Sequence, residues 1–254
     1  MGKIIAIANQ KGGVAKTTTA VNLSAWLSLM GQKVLLVDID PQGNATSGLG
    51  FNKEALELTI YDVLINGQEI QGAICESVIE GLWVLPARME LAGAEIEMVG
   101  IKEREYLLRE PLKALKKNYD YIIIDCPPSL GLLTINALAA AETVMIPIQC
   151  EYYALEGLGQ LLNTIRLVQE QVNSELKIEG VLLTMFDGRT NLSIQVVEEV
   201  KKHFRDKVYA TIIPRNVRLS EAPSHGKPVM VYDRRSRGSE VYQDLAKEVM
   251  GIEQ

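Results

Sequence analysis

The sequence predicts an α/β protein built on an open, doubly wound and mainly parallel sheet with helices on both faces. Short runs rich in β-branched residues recur along the chain, and they are continuously apolar instead of alternating with polar residues. This pattern is typical of strands that are covered on both faces. Longer helical stretches separate the runs, so right-handed crossovers are expected to join parallel neighbours.

Seven apolar runs are the predicted strands, and each segment between them is long enough for a helix, although residues 51–81 have the least regular pattern. The runs are residues 4–8, 34–37, 82–85, 121–124, 144–148, 181–183 and 208–213. In such sheets ligands bind at the carboxyl ends of the strands. The residues that follow the strands are therefore the candidates for a functional site.

Length and composition favour one cytoplasmic domain over residues 1–254. The chain is 47% hydrophobic, and no stretch reaches the roughly 18 apolar residues of a membrane span. The N-terminus enters a strand without the pattern of a signal peptide. Cys75, Cys126 and Cys150 have no C-x-x-C spacing and only two histidines are present, so neither a disulfide framework nor a zinc site is indicated.

The formal charge of −6 hides an uneven distribution. Residues 189–237 hold eleven Lys and Arg against five Asp and Glu, whereas the rest of the chain holds 15 basic and 27 acidic residues. The division favours a basic face for a polyanion on an otherwise acidic body, with scattered solvated charges as the alternative.

The first strand leads directly into a glycine-containing loop and then a helix start, in the segment from Asn9 to Thr19. Backbone amides of such a loop and of the helix N-terminus favour anionic oxygens. Lys16 can neutralise phosphate charge, and the Thr17 hydroxyl can bind Mg²⁺. The generic pattern G-x-x-x-x-G-K-[ST] nevertheless fails at both glycines, where Gln10 and Ala15 stand.

A second lysine, Lys11, distinguishes this loop from a simple phosphate loop. With it the sequence resembles the deviant Walker A ATPases of the ParA/MinD class, whose loop reads K-G-G-x-G-K-[ST]. The resemblance implies that Lys11 reaches the phosphates of the partner chain in an ATP-bound homodimer. The alternative is a solvated lysine beside an accidental Gly-Gly turn.

Carboxylates follow two other predicted strands, Asp38 and Asp40 after the second and Asp125 after the fourth. Two or three carboxylates beside a triphosphate are costly without a cation, so at least one should lie close to Mg²⁺. The resemblance implies that Asp38 binds the metal's water shell, that Asp40 orients the attacking water, and that Asp125 is an outer metal partner.

The resemblance also implies the remaining contacts of ATP. Pro214 packs on the adenine and Asn216 hydrogen-bonds it; without the resemblance, Pro214 would be read as a strand stop and Asn216 as a helix cap. The predicted catalytic residues are Lys11, Lys16 and Asp40, and the metal residues are Thr17, Asp38 and Asp125. The predicted nucleotide-binding residues are Lys11, Gly12, Gly13, Val14, Ala15, Lys16, Thr17, Thr18, Pro214 and Asn216.

Further matching segments cover nearly the whole chain and are similar to chromosomal ParA proteins of the Soj type. They are residues 38–50, 92–95, 125–136, 149–158 and 214–226. The resemblance implies slow ATP hydrolysis, ATP-dependent dimerisation, non-specific binding to double-stranded DNA on the nucleoid, and stimulation by a ParB-type partner. The expected DNA-binding residues are Arg189 and Arg218 first, then Lys201, Lys202, Arg205, Lys227, Arg234, Arg235 and Arg237.

Three rival functions are weighed against this one. A MinD-like membrane role needs a basic amphipathic tail, whereas residues 241–254 look like a closing domain helix, so no membrane partner is expected. A redox role like that of the nitrogenase iron protein would need bridging cysteines, with Cys126 as the candidate. A metabolic ligase on the same scaffold would show ATPase dependence on a metabolite.

Ala15 departs from the family pattern, which has glycine there. If its φ is positive, the residue costs about 1 to 3 kcal/mol; if φ is negative, the change is nearly silent. We expect nucleotide binding to be retained.

Overall fold

The computed structural model describes residues 2–151 and 156–252 of the chain. Its strands form one eight-stranded sheet in the order β3-β4-β2-β5-β1-β6-β7-β8. They are β1 (Lys3–Ile7), β2 (Val34–Asp38), β3 (Cys75–Glu76), β4 (Leu82–Leu85), β5 (Tyr121–Asp125), β6 (Thr143–Gln149), β7 (Lys177–Phe186) and β8 (Val208–Pro214). Every pairing is parallel except that of β3 with β4.

Helices lie in every connection between consecutive strands except the one from β3 to β4. They are α1 (Lys16–Leu29), α2 (Asn44–Gly48), α3 (Ile60–Leu64), α4 (Ile70–Ala73), α5 (Leu91–Glu97), α6 (Arg109–Leu115), α7 (Leu132–Ala140), α8 (Glu156–Gln171), α9 (Asn191–Phe204), α10 (Val217–Glu221), α11 (Val229–Tyr232) and α12 (Arg237–Val249). No helix among the described residues is long and apolar enough to cross a membrane.

Two hydrophobic cores lie on opposite faces of the sheet. One joins the sheet to buried side chains of α3 to α9, and the other joins it to α1, α2 and α10 to α12. Successive residues of β1 alternate between the two cores, with Ile4 in the first and Ile5 in the second. A strand with apolar partners on both faces has no polar positions, which is why the predicted strands read as continuous apolar runs.

The predicted fold class is confirmed, with one strand and two small helices added. β3 has only two residues and is the antiparallel edge, so it is too short for a pattern of hydrophobicity to reveal it. α3 and α4 lie in the irregular stretch 51–81. Of the matching segment 149–158, residues 152–155 lie outside the described residues, as do residues 253–254 of the predicted closing helix.

Candidate active site

The carboxyl ends of three adjacent strands bring the phosphate loop and the acidic residues to one edge. β5 lies between β1 and β2, and the register pairs Asp125 with Ile7 on one side and with Asp38 on the other. Residues far apart in the sequence therefore become neighbours because parallel strands end together. The convergence that the sequence predicts is present.

The loop between β1 and α1 is fastened to the sheet at both of its ends. Asn9 donates from Nδ2 to the Pro147 carbonyl at 2.7 Å, while its Oδ1 accepts the Lys11 amide at 3.0 Å. Thr184 donates its hydroxyl to the Val14 carbonyl at 3.2 Å. These bonds fix the loop before any ligand arrives, which lowers the entropic cost of binding.

The N-terminus of α1 is open to an anion. No side chain caps it, and its first turn contains no acidic residue. The first amides of a helix have no partner within the helix, and the helix dipole makes this end positive. The 14-residue helix thus presents free donors where the loop ends.

Lys16 closes the loop from within. Its Nζ donates to the Lys11 carbonyl at 3.0 Å, and the residue is only 6% exposed. Burial lowers the pKa of the ammonium, while Asp125, Cys126 and Asp40 act in the opposite direction. The Lys11 side chain lies half-exposed, and no ion-pair partner for it occurs among residues 2–151 and 156–252.

Asp38 is fully buried and anchored by its neighbours. Its Oδ2 accepts both the amide and the hydroxyl of Thr46, at 2.8 and 2.7 Å, and its Oδ1 accepts the Asp40 amide at 3.2 Å. Burial raises the pKa of Asp38 to about 6 against the effect of these bonds. Thr46 lies inside the matching segment 38–50, but no role for it was predicted, because a threonine after D-P-Q-G-N carries no chemical signal of its own.

Asp125 is also fully buried, and neither carboxylate oxygen has a hydrogen-bond partner among the described residues. Burial raises its pKa well above the ordinary value, the charge of Asp38 adds to this, and the nearby Thr17 hydroxyl and Lys16 oppose it. A buried carboxylate without donors is unstable unless a cation or proton joins it.

The residues present fit a magnesium ion better than an all-protein metal cage. In the described part of the chain, no group of three or more His, Cys, Asp or Glu side chains is placed to hold a metal. Mg²⁺ instead takes one or two carboxylates, waters and phosphate oxygens. Thr17 and Asp38 are both near Asp125, whose two oxygens have no hydrogen-bond partner of good geometry among the described residues, so an ion here would stabilise a buried carboxylate.

A cavity of about 670 Å³ extends from the phosphate loop toward the end of β8. Its walls include the predicted residues Ala15, Thr18, Pro214 and Asn216, and its size suits a nucleoside. Asn216 is also the N-cap of α10, where its Oδ1 accepts the Arg218 amide at 3.0 Å. Sequence reasoning missed further wall residues, among them Met185, Arg215 and Tyr242.

Two wall residues of this cavity have left-handed backbones although neither is glycine. Ala15 has φ 67° and Met185 has φ 53°. Such conformations cost about 1 to 3 kcal/mol each and tend to occur at binding sites. Methionine has no preference for a positive φ, so the sequence did not reveal this backbone conformation.

The residues predicted to bind DNA do not form one patch. Lys201 and Lys202 end α9 and Arg205 follows it, before the start of β8, whereas Arg189 and Arg218 lie just beyond the ends of β7 and β8. α9 packs into one core and α10 to α12 into the other. The basic stretch 189–237 is thus divided between opposite ends of the strands, because sequence continuity runs through the sheet.

The basic residues beyond the ends of β7 and β8, around Arg218, are closer together than those at the end of α9. Arg218 bridges from α10 to Glu221 at 2.8 Å and to Asp233 at 3.2 Å, so it lies next to the turn that holds Arg234 and Arg235. Arg189 pairs with Asp187 through Nε and Nη2, at 2.9 and 2.6 Å. Lys227, Arg234, Arg235 and Arg237 are exposed, with the Arg234 guanidinium 5.9 Å from the centre of the Trp26 ring.

Two of the rival functions find little support in this geometry. Cys126 is fully buried, and burial raises the pKa of its thiol far above the ordinary value. A cluster-bridging cysteine has to be a thiolate at a surface between subunits. α12 buries Val241, Tyr242 and Leu245 against the protein, so its apolar face is occupied.

Comparison with known proteins gives consistent results. A family model described as an AAA domain matches residues 2–178. The chain is 68% identical to the sporulation initiation inhibitor protein Soj of Bacillus subtilis over 249 residues, covering 98% of each chain. It is 56% identical to the chromosome partitioning protein ParA of Myxococcus xanthus, covering 98% of this chain and 88% of that one.

Solved structures share the fold over almost the full length. Cobyrinic acid a,c-diamide synthase from Mycobacterium smegmatis, with bound ADP and magnesium, has a TM-score of 0.87 at 40% identity, covering 98% of this chain and 94% of that one. The septum site-determining protein MinD of Pyrococcus horikoshii, complexed with Mg-ADP, has a TM-score of 0.81 at 30% identity, covering 98% and 96%.

Proposed function

The chain belongs to the family of Soj and ParA chromosome-partitioning ATPases, and from this premise we propose that it is an ATP-operated switch that dimerises and binds DNA without sequence preference. A ParB-type partner then stimulates hydrolysis and releases the protein from the nucleoid. ATP and Mg²⁺ are the cofactors, as the relatives with bound nucleotide and magnesium suggest.

One observation carries the ATPase part of the proposal: the uncapped first turn of α1 brings Lys16 and Thr17 close to the fully buried Asp125, and the buried carboxylate of Asp38 lies beside it. An anion alone would be repelled by Asp38 and Asp125, and a cation alone would be repelled by Lys16. A magnesium nucleotide supplies both charges in the required places. When bound, the ion neutralises phosphate charge and helps to orient the nucleotide.

The residues of the chain then divide the work. Lys16 and the amides of the loop, from Gly12 to Thr18, hold the phosphates. Thr17, Asp38 and Asp125 hold the metal and its waters, and Asp40 orients the attacking water. Phosphoryl transfer needs chiefly positioning and charge stabilisation, so no covalent nucleophile is required. Pro214 and Asn216 hold the base in the cavity beside Ala15.

Lys11 contacts the nucleotide of the partner chain in the proposed homodimer. Its half-exposed side chain at the loop is available to a facing subunit, whereas Lys16 is buried and satisfied within its own chain. Two copies that face each other through their phosphate loops would each receive one lysine from the other. Each complete nucleotide site would then contain residues of both chains.

The DNA surface is the group around Arg218, with Arg189, Lys227, Arg234, Arg235 and Arg237. These residues follow the same strand ends as the nucleotide cavity, and Arg189 is itself a wall residue. Nucleotide occupancy can therefore affect this surface directly. Contacts to phosphates need no base readout, so such a surface is sufficient for non-specific binding.

The test is equilibrium binding to a random-sequence duplex with ATP, ADP or no nucleotide, at two salt concentrations. We expect tight DNA binding only in the presence of ATP, and weaker DNA binding at the higher salt concentration. Lys16→Ala should lose the effect of ATP. Arg218→Ala should reduce the slope of log K against log salt concentration by about 1, whereas Lys201→Ala with Lys202→Ala should change it less.

Equal weak binding in every nucleotide state would overturn the DNA-switch proposal. The ligase alternative has one specific observation in its favour, the structural similarity to cobyrinic acid a,c-diamide synthase. It predicts ATP turnover that depends on a small-molecule acid and is indifferent to DNA. The higher identity to Soj and ParA, at 68% and 56%, favours the switch.

A further inference from the structure

Thr46 connects three parts of the fold through one buried side chain. It belongs to α2, it is fully buried, and its hydroxyl touches both the end of β2 and the segment after β4. Oγ1 lies 2.7 Å from Asp38 Oδ2 and 3.0 Å from the Ala87 amide nitrogen. Neither the phosphate loop nor the base cavity includes this residue.

The two contacts together fix the direction of the hydroxyl proton. The Ala87 amide can only donate, so Oγ1 accepts there. The hydroxyl has a single proton, which is then left for Asp38. Since Asp38 is an acceptor when ionised, the geometry forms a chain of donors from Ala87 through Thr46 to the carboxylate.

The same contacts make the two oxygens of Asp38 unequal. Oδ2 receives two donors from Thr46, at 2.8 and 2.7 Å, whereas the one donor to Oδ1 among the described residues is the Asp40 amide at 3.2 Å. A carboxylate held through one oxygen cannot rotate without breaking both short bonds. Oδ1 therefore remains the oxygen with capacity for a further donor.

We propose that Thr46 is a positioning residue for magnesium: its hydroxyl, held by the Ala87 amide, locks the Asp38 carboxylate so that Oδ1 accepts from the metal's water shell. The inference rests on the metal role of Asp38 in the proposed function. Groups that orient metal-binding carboxylates typically contribute about 10- to 100-fold to metal affinity.

The experiment measures ADP affinity with saturating Mg²⁺ and with EDTA, together with the Mg²⁺ concentration that gives half of the effect. ADP avoids turnover, so the readout is independent of hydrolysis, DNA and partner. Thr46→Val preserves the shape and removes the hydroxyl, and Thr46→Ser keeps it. Ser47→Ala on the same helix is the matched control, because within residues 2–151 and 156–252 its hydroxyl bonds only to the Gly43 and Asn44 carbonyls.

We expect Thr46→Val to raise the half-effective Mg²⁺ concentration by about tenfold while ADP affinity in EDTA stays within about twofold. Thr46→Ser and Ser47→Ala should match the wild type. In an Asp38→Asn background, Thr46→Val should have no further effect on the Mg²⁺ dependence, because the two residues act as one unit.

A purely structural role predicts a different result, namely equal loss of ADP affinity with and without Mg²⁺, and this would overturn the proposal. An unchanged Mg²⁺ dependence in Thr46→Val would also overturn it. Should that variant fail to fold, Thr46→Ala is measured in the same way, and the Asp38→Asn pair decides. If Mg²⁺ does not affect ADP binding to the wild type, the metal role of Asp38 fails as well, while the DNA test stands separately.

Discussion

Ala15 is a strained residue in the wall of the cavity. It precedes Lys16 with φ 67° and ψ 29°, a left-handed conformation that suits glycine. The angle turns the chain from the loop into α1, and the Ala15 carbonyl accepts the Thr19 amide at 2.9 Å. The hydrogen bond to α1 thus holds Ala15 in its strained conformation.

We expect Ala15→Gly to stabilise the protein by about 1 kcal/mol. Relief of strain contributes about 1 to 3 kcal/mol, and the added freedom of the unfolded chain removes about 0.4 to 1 kcal/mol. Urea unfolding without nucleotide measures the change. Ala55→Gly, at an exposed position, is the control and should be neutral or destabilising. A loss of stability in Ala15→Gly would show that alanine is not strained there.

Asp38 gives the nucleotide-free protein a distinctive pH dependence. Burial raises its pKa to about 6 from 3.8, so between about pH 4 and 6 the folded chain holds a proton that the unfolded chain has lost. The free energy of unfolding should then fall as the pH rises through this window, and the raised pKa of the neighbouring Asp125 acts in the same direction. Carboxylates with lowered pKa values, such as Glu221, act in the opposite direction, but below about pH 4.5.

The measurement is the melting temperature in EDTA from pH 4.5 to 7, for the wild type and Asp38→Asn. We expect the wild type to lose stability relative to the variant as the pH rises. A constant difference across the range would mean that Asp38 has an ordinary pKa in the folded protein.

Residue chemistry predicted which residues would lie near one another, while their roles stay predictions. The three aspartates stand at or directly after strand ends, and Lys16 and Thr17 begin the helix after the first strand and its loop, so all five lie near one edge of the sheet. The sign of φ at Ala15 and Met185 could not be read, because it depends on the tertiary path of the backbone and not on the residue type.

At the scale of elements, the edge strand β8 shows how the sheet ends. Its Ala210 and Thr211 amides are both accepted by Glu248 of α12, at 2.7 and 3.0 Å. The register with β7 is irregular here, so these donors have no regular ladder partner. A carboxylate from a covering helix satisfies them and blocks pairing with another strand.

Glu248→Ala should therefore lower the free energy of unfolding by roughly 1 to 2 kcal/mol, since two amides lose a charged acceptor. Part of the loss is offset because water can reach the site. Urea unfolding measures it, with Glu240→Ala on the same helix as the control. If both variants lose the same small amount, the edge contact contributes nothing specific.

Elements were predictable in proportion to their length. Strands of four or more buried residues show as apolar runs, whereas β3, with two residues, has no run to show. The basic composition of residues 189–237 could be read from the sequence, but the positions of these residues on the surface could not. Its residues enter and leave the sheet through β8, so Lys201 and Arg218 lie near opposite ends of that strand.

At the scale of the whole molecule, the proposed nucleotide and DNA surfaces share one edge of the sheet. The base cavity includes Arg189, and its wall continues into α10, which carries Arg218. The phosphate loop, with Lys11, lies at the same edge. A second chain that joins there would complete the nucleotide site and double the number of basic residues available to DNA.

The most direct test of this half-site is the mass in solution, measured by sedimentation with a non-hydrolysable ATP analogue, with ADP and without nucleotide. We predict a dimer only with the analogue. Lys16→Ala should remain monomeric because it loses the nucleotide, and Lys11→Ala should bind the nucleotide and remain monomeric. A Lys11→Ala variant that dimerises as the wild type does, or a wild type that binds the analogue and stays monomeric, would contradict the account.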